Sequence, residues 1–336
     1  MKAGMTGVMA ALLAVAGLVA GCRTGSAGRL GLEQRQSMAQ ADFQRAVRLA
    51  HAGKQQRAIS ALASGLDLYP EHLASRLFLA GLLQESGNGA AALDQYDQAL
   101  KLIRNSDTNS MDRVVVYGNR GDCFVAQGRF EEAEADFTKA LELKPKETAL
   151  IYKRGEARMG LKRYEAALAD FTTVTKVMPH EAEGWMRRGD CQFAVSNFSE
   201  AADDYSVALE RSPRDANLFA RRAAIFAALD QNEMALADYT RALDLEPDSA
   251  RRWYDRAITH LALDQAKEAL SDLTEALKRD PKRPEILVAR GMALELSGDT
   301  AAALADYNMA RNVSPNYEPA ERNRKRLMDR TAAAGR

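Results

Sequence analysis

The chain has few of the residues that carry chemistry. Its 336 residues include three cysteines and four histidines. His51, His72, His180 and His260 fall at no metal-ligand spacing, and no Cys or His cluster forms. There is no H-E-x-x-H, no nucleophile elbow and no G-x-x-x-x-G-K-[ST] phosphate loop. Gly87-Asn88-Gly89 has no strand before it and reads as a turn between helices. Asp107-x-Asn109 begins like a calcium loop, but Asp112 stands where glycine is needed and Gly118 where the bidentate Glu belongs. These absences exclude a catalytic constellation, a cofactor and a metal from the expectation. A surplus charge is missing too: 46 Lys and Arg balance 46 Asp and Glu. Phosphate neutralisation needs a basic excess, so nucleic acid is not an expected partner.

One long uncharged run is present, at the N-terminus. Lys2 precedes the apolar stretch Val8–Ala20, and Gly21-Cys22 follows. A positive start, a short apolar run and a small-residue end describe a secretory signal over residues 1–21. Leu18-Val19-Ala20-Gly21-Cys22 also resembles the bacterial lipobox. That resemblance implies cleavage before Cys22 and diacylglycerol on its thiol, hence a lipid tether to a membrane of the cell envelope. An uncleaved anchor is the alternative, because Ala3–Cys22 approaches the ~20 residues that span a bilayer, although its glycines and Thr6 weaken it. Ordinary secretion is the third. Gly25, Ser26, Gly28 and Gly31 make residues 22–38 the lipidated Cys and a flexible tether.

The body carries one proline every 34 residues: Pro145, Pro179, Pro213, Pro247, Pro281 and Pro315. A period of this size means stacked helical hairpins. With proline as position 32, six repeats span 114–317. Position 8 is Gly121, Gly155, Gly189, Ala223, Ala257 and Gly291. Position 20 is always Ala, and position 27 is Ala or Val. Position 24 is Phe137, Phe171, Tyr205, Tyr239, Leu273 and Tyr307. Small residues let helix backbones approach; positions 20, 24 and 27 share one helical face. Proline ends the second helix by lacking an N–H and restricting its neighbour. This pattern resembles the tetratricopeptide repeat. It implies an all-α fold, a right-handed α-α superhelix of about eight helical hairpins plus a C-terminal capping helix. Residues 39–106 read as two degenerate repeats, with Pro70 in register and Arg104 where the second proline belongs. Residues 107–113 are an inserted loop, with the polar run Asn105–Ser110 around its start. Residues 318–336 are a basic capping helix and tail, with Leu327 and Met328 expected to touch the last repeat; a docking site for an acidic partner or anionic lipid headgroups, on Arg322, Arg324, Lys325, Arg326 and Arg330, is the alternative. Cys123 and Cys191 share a register two repeats apart, too far to bond, and read as small buried residues.

Position 7 is Arg in all six regular repeats, and position 23 is Asp: Arg120/Asp136 through Arg290/Asp306. The expectation is an ion pair between the two helices of each hairpin, fixing geometry rather than binding ligand. In the second repeat Leu79 and Gln95 replace both members. The resemblance also implies that the first helix of each hairpin lines a ligand groove. Position 5 there reads Phe43, Leu77, Gly118, Tyr152, Met186, Ala220, Tyr254 and Val288, an apolar and aromatic line beside mixed charge. No repeat has Lys at 5 or Asn at 9, so the family's C-terminal-carboxylate ligands are not expected. The candidate peptide-binding residues are Tyr152, Lys153, Met186, Arg187, Arg221 and Tyr254. The expected function is a membrane-tethered, non-enzymatic scaffold or adaptor of the bacterial cell envelope that binds a partner protein or peptide. The alternatives are a structural homo-oligomer packed through the edge hairpins of 39–106, and a cell-wall glycan-binding module using the groove aromatics.

Overall fold

A computed structural model describes residues 30–104 and 110–334. The expected signal, Cys22 and residues 23–29 of the tether lie outside the described residues, as do residues 105–109 of the polar run. Among the described residues there are seventeen helices. They are α1 (Leu32–His51), α2 (Gln55–Leu68), α3 (Leu73–Glu85), α4 (Gly89–Arg104), α5 (Ser110–Ala126), α6 (Phe130–Leu143), α7 (Thr148–Gly160) and α8 (Tyr164–Val177). Then follow α9 (Ala182–Ala194), α10 (Phe198–Arg211), α11 (Ala216–Ala228), α12 (Asn232–Leu245), α13 (Ala250–Ala262), α14 (Ala266–Arg279), α15 (Pro284–Leu296), α16 (Thr300–Val313) and α17 (Glu318–Ala334). The first sixteen pair as eight hairpins, an all-α solenoid of tandem helical hairpins. The chain divides into two compact bodies, one ending at Asp170 and one beginning at Phe171. No described helix is long and apolar enough to cross a membrane.

The hairpins repeat because their turns repeat. In every one, the residue at position 15 adopts the left-handed conformation. Gly53, Gly87, Gly128 and Gly298 do so freely; Lys162, Ser196, Asp230 and Asp264 do so at φ of 58°, 65°, 57° and 56°. The next residue then reaches five residues back: Arg129 N–H to Phe124 O, Arg163 N–H to Arg158 O and Gln231 N–H to Phe226 O, at 2.8–2.9 Å. These bonds satisfy carbonyls that the helix end would leave open. At the far end, position 31 closes the second helix by donating to the position-27 carbonyl, as Lys144 does to Ala140 at 2.9 Å. Proline follows and continues nothing.

The core follows the small-residue register. Ala133, Ala167, Ala201, Ala235, Ala269 and Ala303 are fully buried, as are Phe137, Phe171 and Tyr307 beside them in sequence. A methyl on Gly121 would stand 2.6 Å from Phe137 Cε1, and on Gly291 2.5 Å from Tyr307 Cε1. Glycine there is a packing requirement, and an added carbon would force the ring to move.

All six expected Arg–Asp pairs form, and each is bidentate. Arg188 Nε and Nη2 donate to Asp204 Oδ2 and Oδ1 at 2.8 and 2.5 Å. The corresponding bonds of Arg120, Arg154, Arg222, Arg256 and Arg290 fall between 2.6 and 3.1 Å. All six aspartates are buried. Aromatic rings cover several of the guanidinium groups, with Trp185 4.6 Å from Arg188 and Trp253 5.0 Å from Arg256. In the second repeat Arg76 substitutes from position 4. It is buried and donates to Gln95 Oε1 at 3.0 Å, to Gln98 Oε1, and to Pro70 O at 2.8 Å.

Three boundaries differ from expectation. The segment read as tether turns helical at Leu32. Leu, Glu, Gln and Arg favour helix there, and Gln34 Oε1 accepts from the Gly31 N–H at 3.2 Å, half of a capping box. The inserted loop of 107–113 is helix from Ser110, which lengthens α5 to 17 residues. In the cap, Leu327 is buried as expected, but Met328 is exposed and lies against Arg324 Nη1 instead. Cys123 and Cys191 are buried free thiols, the latter pushed up to about 12 by burial.

Candidate functional site

Within each body, the first helices of successive hairpins lie side by side. In the N-terminal body α5 touches α3 and α7; in the C-terminal body α13 touches α11 and α15. Their shared face carries the candidate residues. Tyr152, Lys153, Met186, Arg187 and Tyr254 are half-buried there, and Arg221 is exposed. Of the expected position-5 line, Phe43, Leu77 and Val288 are core instead. Phe43, for example, packs edge-on to Phe78 and His72, with ring centres 6.0 and 5.7 Å away.

Tyr152 and Lys153 belong to α7, in the N-terminal body. Tyr152 OH donates to Glu156 Oε1 at 3.3 Å. Lys153 Nζ donates to Asp122 Oδ2 on α5 at 2.6 Å. Burial raises the Asp122 carboxyl above its ordinary range, and the Lys153 charge opposes that rise.

The other four candidates belong to the C-terminal body. Arg221 on α11 pairs with Asp190 on α9. Arg187, on α9 itself, reaches the same carboxylate at 3.9 Å and Glu183 at 3.2 Å. Tyr205 OH donates to Asp190 Oδ1 from the core side at 2.5 Å. Asp190 is thus the group that brings Arg187 and Arg221 together. Met186 packs on the cluster of Tyr205, Leu218 and Ala223. Tyr254 packs on the cluster of Leu273, Ala289 and Ala293, with Arg251 5.7 Å from its ring. Burial holds the Tyr254 hydroxyl above its usual value. Asp255 beside it is likewise raised by burial, against the pull of Arg251 2.8 Å away.

Asp122 and Asp190 stand at position 9, part of the mixed charge expected in the groove, but they are not among the six candidate residues. The missed signal is a spacing. Acid at position 9 and base at position 6 of the next repeat lie 31 residues apart, in Asp122/Lys153 and in Asp190/Arg221. Two of the six candidate side chains therefore already tie neighbouring hairpins together. The face presents half-buried aromatic and apolar groups beside these ion pairs. Among the described residues, no group of three or more His, Cys, Asp or Glu could hold a metal ion.

Tandem helical hairpins in this register define the class of protein–protein interaction scaffolds. Tetratricopeptide-repeat family models match residues 72–146, 152–216 and 221–292, and the chain belongs to that family. No curated protein matches it closely enough to count. Among solved structures, it is similar to the C-terminal part of a repeat-containing protein from Cytophaga hutchinsonii, at 16% identity and a TM-score of 0.61 over 73% of this chain and 97% of that one. A tetratricopeptide repeat protein from Parabacteroides merdae matches at 19% and 0.56, over 77% and 99%. YrrB, described as having an unusual peptide-binding site, matches at 20% and 0.50, over 56% and 97%. At such identities the likeness is one of fold.

Proposed function

We propose that the protein is a non-catalytic adaptor, tethered to a membrane of the bacterial cell envelope by lipid on Cys22, that holds a partner protein or peptide on its first-helix faces. One observation carries the binding half. The second-helix position-24 side chains and the six paired aspartates are buried within the hairpins, whereas all six candidate residues remain partly or fully open to solvent on the first helices. Fully buried groups cannot meet a partner; aromatic and charged groups that keep solvent access on a rigid scaffold can. The tether rests on Leu18–Cys22 and its place after the apolar run.

The halves are tested separately. Cys22→Ala should leave the precursor unprocessed and abolish acyl labelling; normal processing and labelling would remove the tether. Crosslinked capture from the native membrane should lose the partner when Tyr152→Ala is made in one body or Arg187→Glu in the other, with the helical melt retained. Unchanged capture by both variants would remove the face.

A further inference from the structure

The last helix is more than a cap. With Glu318 as position 1, the buried residues of α17 are Ala320 at position 3 and Leu327 at position 10. The same two positions are buried in the preceding first helices: Leu218 and Ile225, Arg252 and Thr259, Ile286 and Ala293. α17 also touches both α15 and α16. It therefore sits as the first helix of a ninth repeat that has no second helix. Arg322, Arg326 and Arg330 then take positions 5, 9 and 13, and all three are exposed.

That register joins them to an apolar row. Ile258 and Met292 occupy position 9 and Leu296 position 13 of the two first helices before α17. They are 38%, 41% and 54% exposed, large values for side chains of this kind. Arg326 is fastened to the row: its Nη2 donates to Glu295 Oε1 at 2.6 Å, and Glu295 precedes Leu296. Tyr307 OH holds the same oxygen at 2.5 Å. Arg322 and Arg330 are exposed and make no ion pair among the described residues. At the other side of the row Arg251 and Asp255 neutralise each other. The row is thus apolar in the middle and has unpaired cations at one end.

We infer that this row docks an acidic segment of a partner protein, its apolar side chains on Ile258, Met292 and Leu296 and its carboxylates on Arg322 and Arg330. The inference rests on the first-helix face being the partner-binding face. Bidentate guanidinium–carboxylate contacts would set orientation, and apolar burial would supply most of the affinity. The acids on the same helices are already engaged, Asp255 by Arg251, Glu285 by Arg283 at 3.7 Å and Glu295 by Arg326, so they leave Arg322 and Arg330 open to a partner's carboxylates; an anionic lipid surface is the competing occupant that the vesicles below test.

The test uses the full chain, a fluorescein-labelled peptide of Leu-Asp-Glu triplets about a dozen residues long, its Leu-Lys-Lys counterpart, and vesicles one-third phosphatidylserine. The acidic peptide should bind saturably, at least about tenfold tighter than the basic one, and weaken with salt. Arg322→Glu with Arg330→Glu should reduce that affinity at least about tenfold; Met292→Ser with Leu296→Ser should reduce it without changing the salt dependence. All four residues are exposed, so the helical melt should be retained. Equal binding of both peptides, indifference to the arginine changes, or displacement of the acidic peptide by vesicles would overturn the inference. Partner capture lost with Arg187→Glu but kept with Arg322→Glu and Arg330→Glu would overturn it while leaving the face itself in place. Capture unaffected by any of these changes would overturn both.

Discussion

At the scale of single residues, the Arg–Asp pair is the unit of rigidity. A planar guanidinium meets a buried carboxylate through two parallel bonds, a geometry that lysine cannot reproduce. Removing Arg188 strands the Asp204 carboxylate inside the hairpin, at a cost of about 3 kcal/mol. A double-mutant cycle of Arg188→Ala and Asp204→Ala, read from exchange of the α9 and α10 amides, should give a coupling above about 1 kcal/mol. Additive effects would mean that the pair contributes nothing jointly. Arg76 shows why such pairs are only partly legible in sequence. Loss of Arg and Asp at positions 7 and 23 was plain in Leu79 and Gln95, but a replacement arriving from position 4 follows no register. His72 is a second residue whose role needed coordinates. The Ser75 N–H and hydroxyl both approach Nδ1, at 3.3 and 2.6 Å, so the proton sits on Nε2 and is donated to Gln40 Oε1 at 3.0 Å. Burial lowers its pKa from 6.5. The unfolded chain therefore takes up the proton first as pH falls. The stability that neutral His72 contributes is full above 6.5 and is lost as pH drops through its lowered folded value. Between about pH 7 and pH 5 the urea midpoint of wild type should fall further than that of His72→Asn, which keeps a capping side chain. Parallel declines would sink this reading.

At the scale of the helical hairpin, the turn fixes more than its own sequence reveals. Position 15 is left-handed in all eight hairpins, yet only four have glycine there. Lys162 gives no local sign of that conformation; the bond from Arg163 N–H to Arg158 O accompanies it. Lys162→Gly should accordingly stabilise its hairpin by up to about 1 kcal/mol, the left-handed strain outweighing the extra backbone entropy. Asp230→Gly and Asp264→Gly should gain less, since Asp tolerates this region. A lower denaturation midpoint for Lys162→Gly would contradict the assignment of strain. The hairpins themselves were legible from position 32 and the small-residue register, because close helix packing leaves few choices at positions 8, 20 and 27. The helix starts at Leu32 and Ser110 were less so. Flanking glycines and a polar run argued for loop, and good helix formers beside them won.

At the scale of the whole chain, architecture was written in the period and function was not. Six tandem repeats determine the stack, whatever partner it holds. The candidate residues were found by family register, and the structure added what register alone could not. Lys153 and Arg221 are tied to Asp122 and Asp190, and the first-helix row continues into Arg322, Arg326 and Arg330 on α17. The account's central claim is that partners meet the first helices and leave the second helices bare. Its most direct test is a photo-crosslinking residue placed singly at Met186, Tyr254 and Met292 on first helices and at Glu210 and Arg241 on second helices, irradiated in the native membrane. The account predicts the same crosslinked partner band from the first-helix positions and none from Glu210 or Arg241. A partner band from Glu210 or Arg241, with Met186, Tyr254 and Met292 silent, would contradict it.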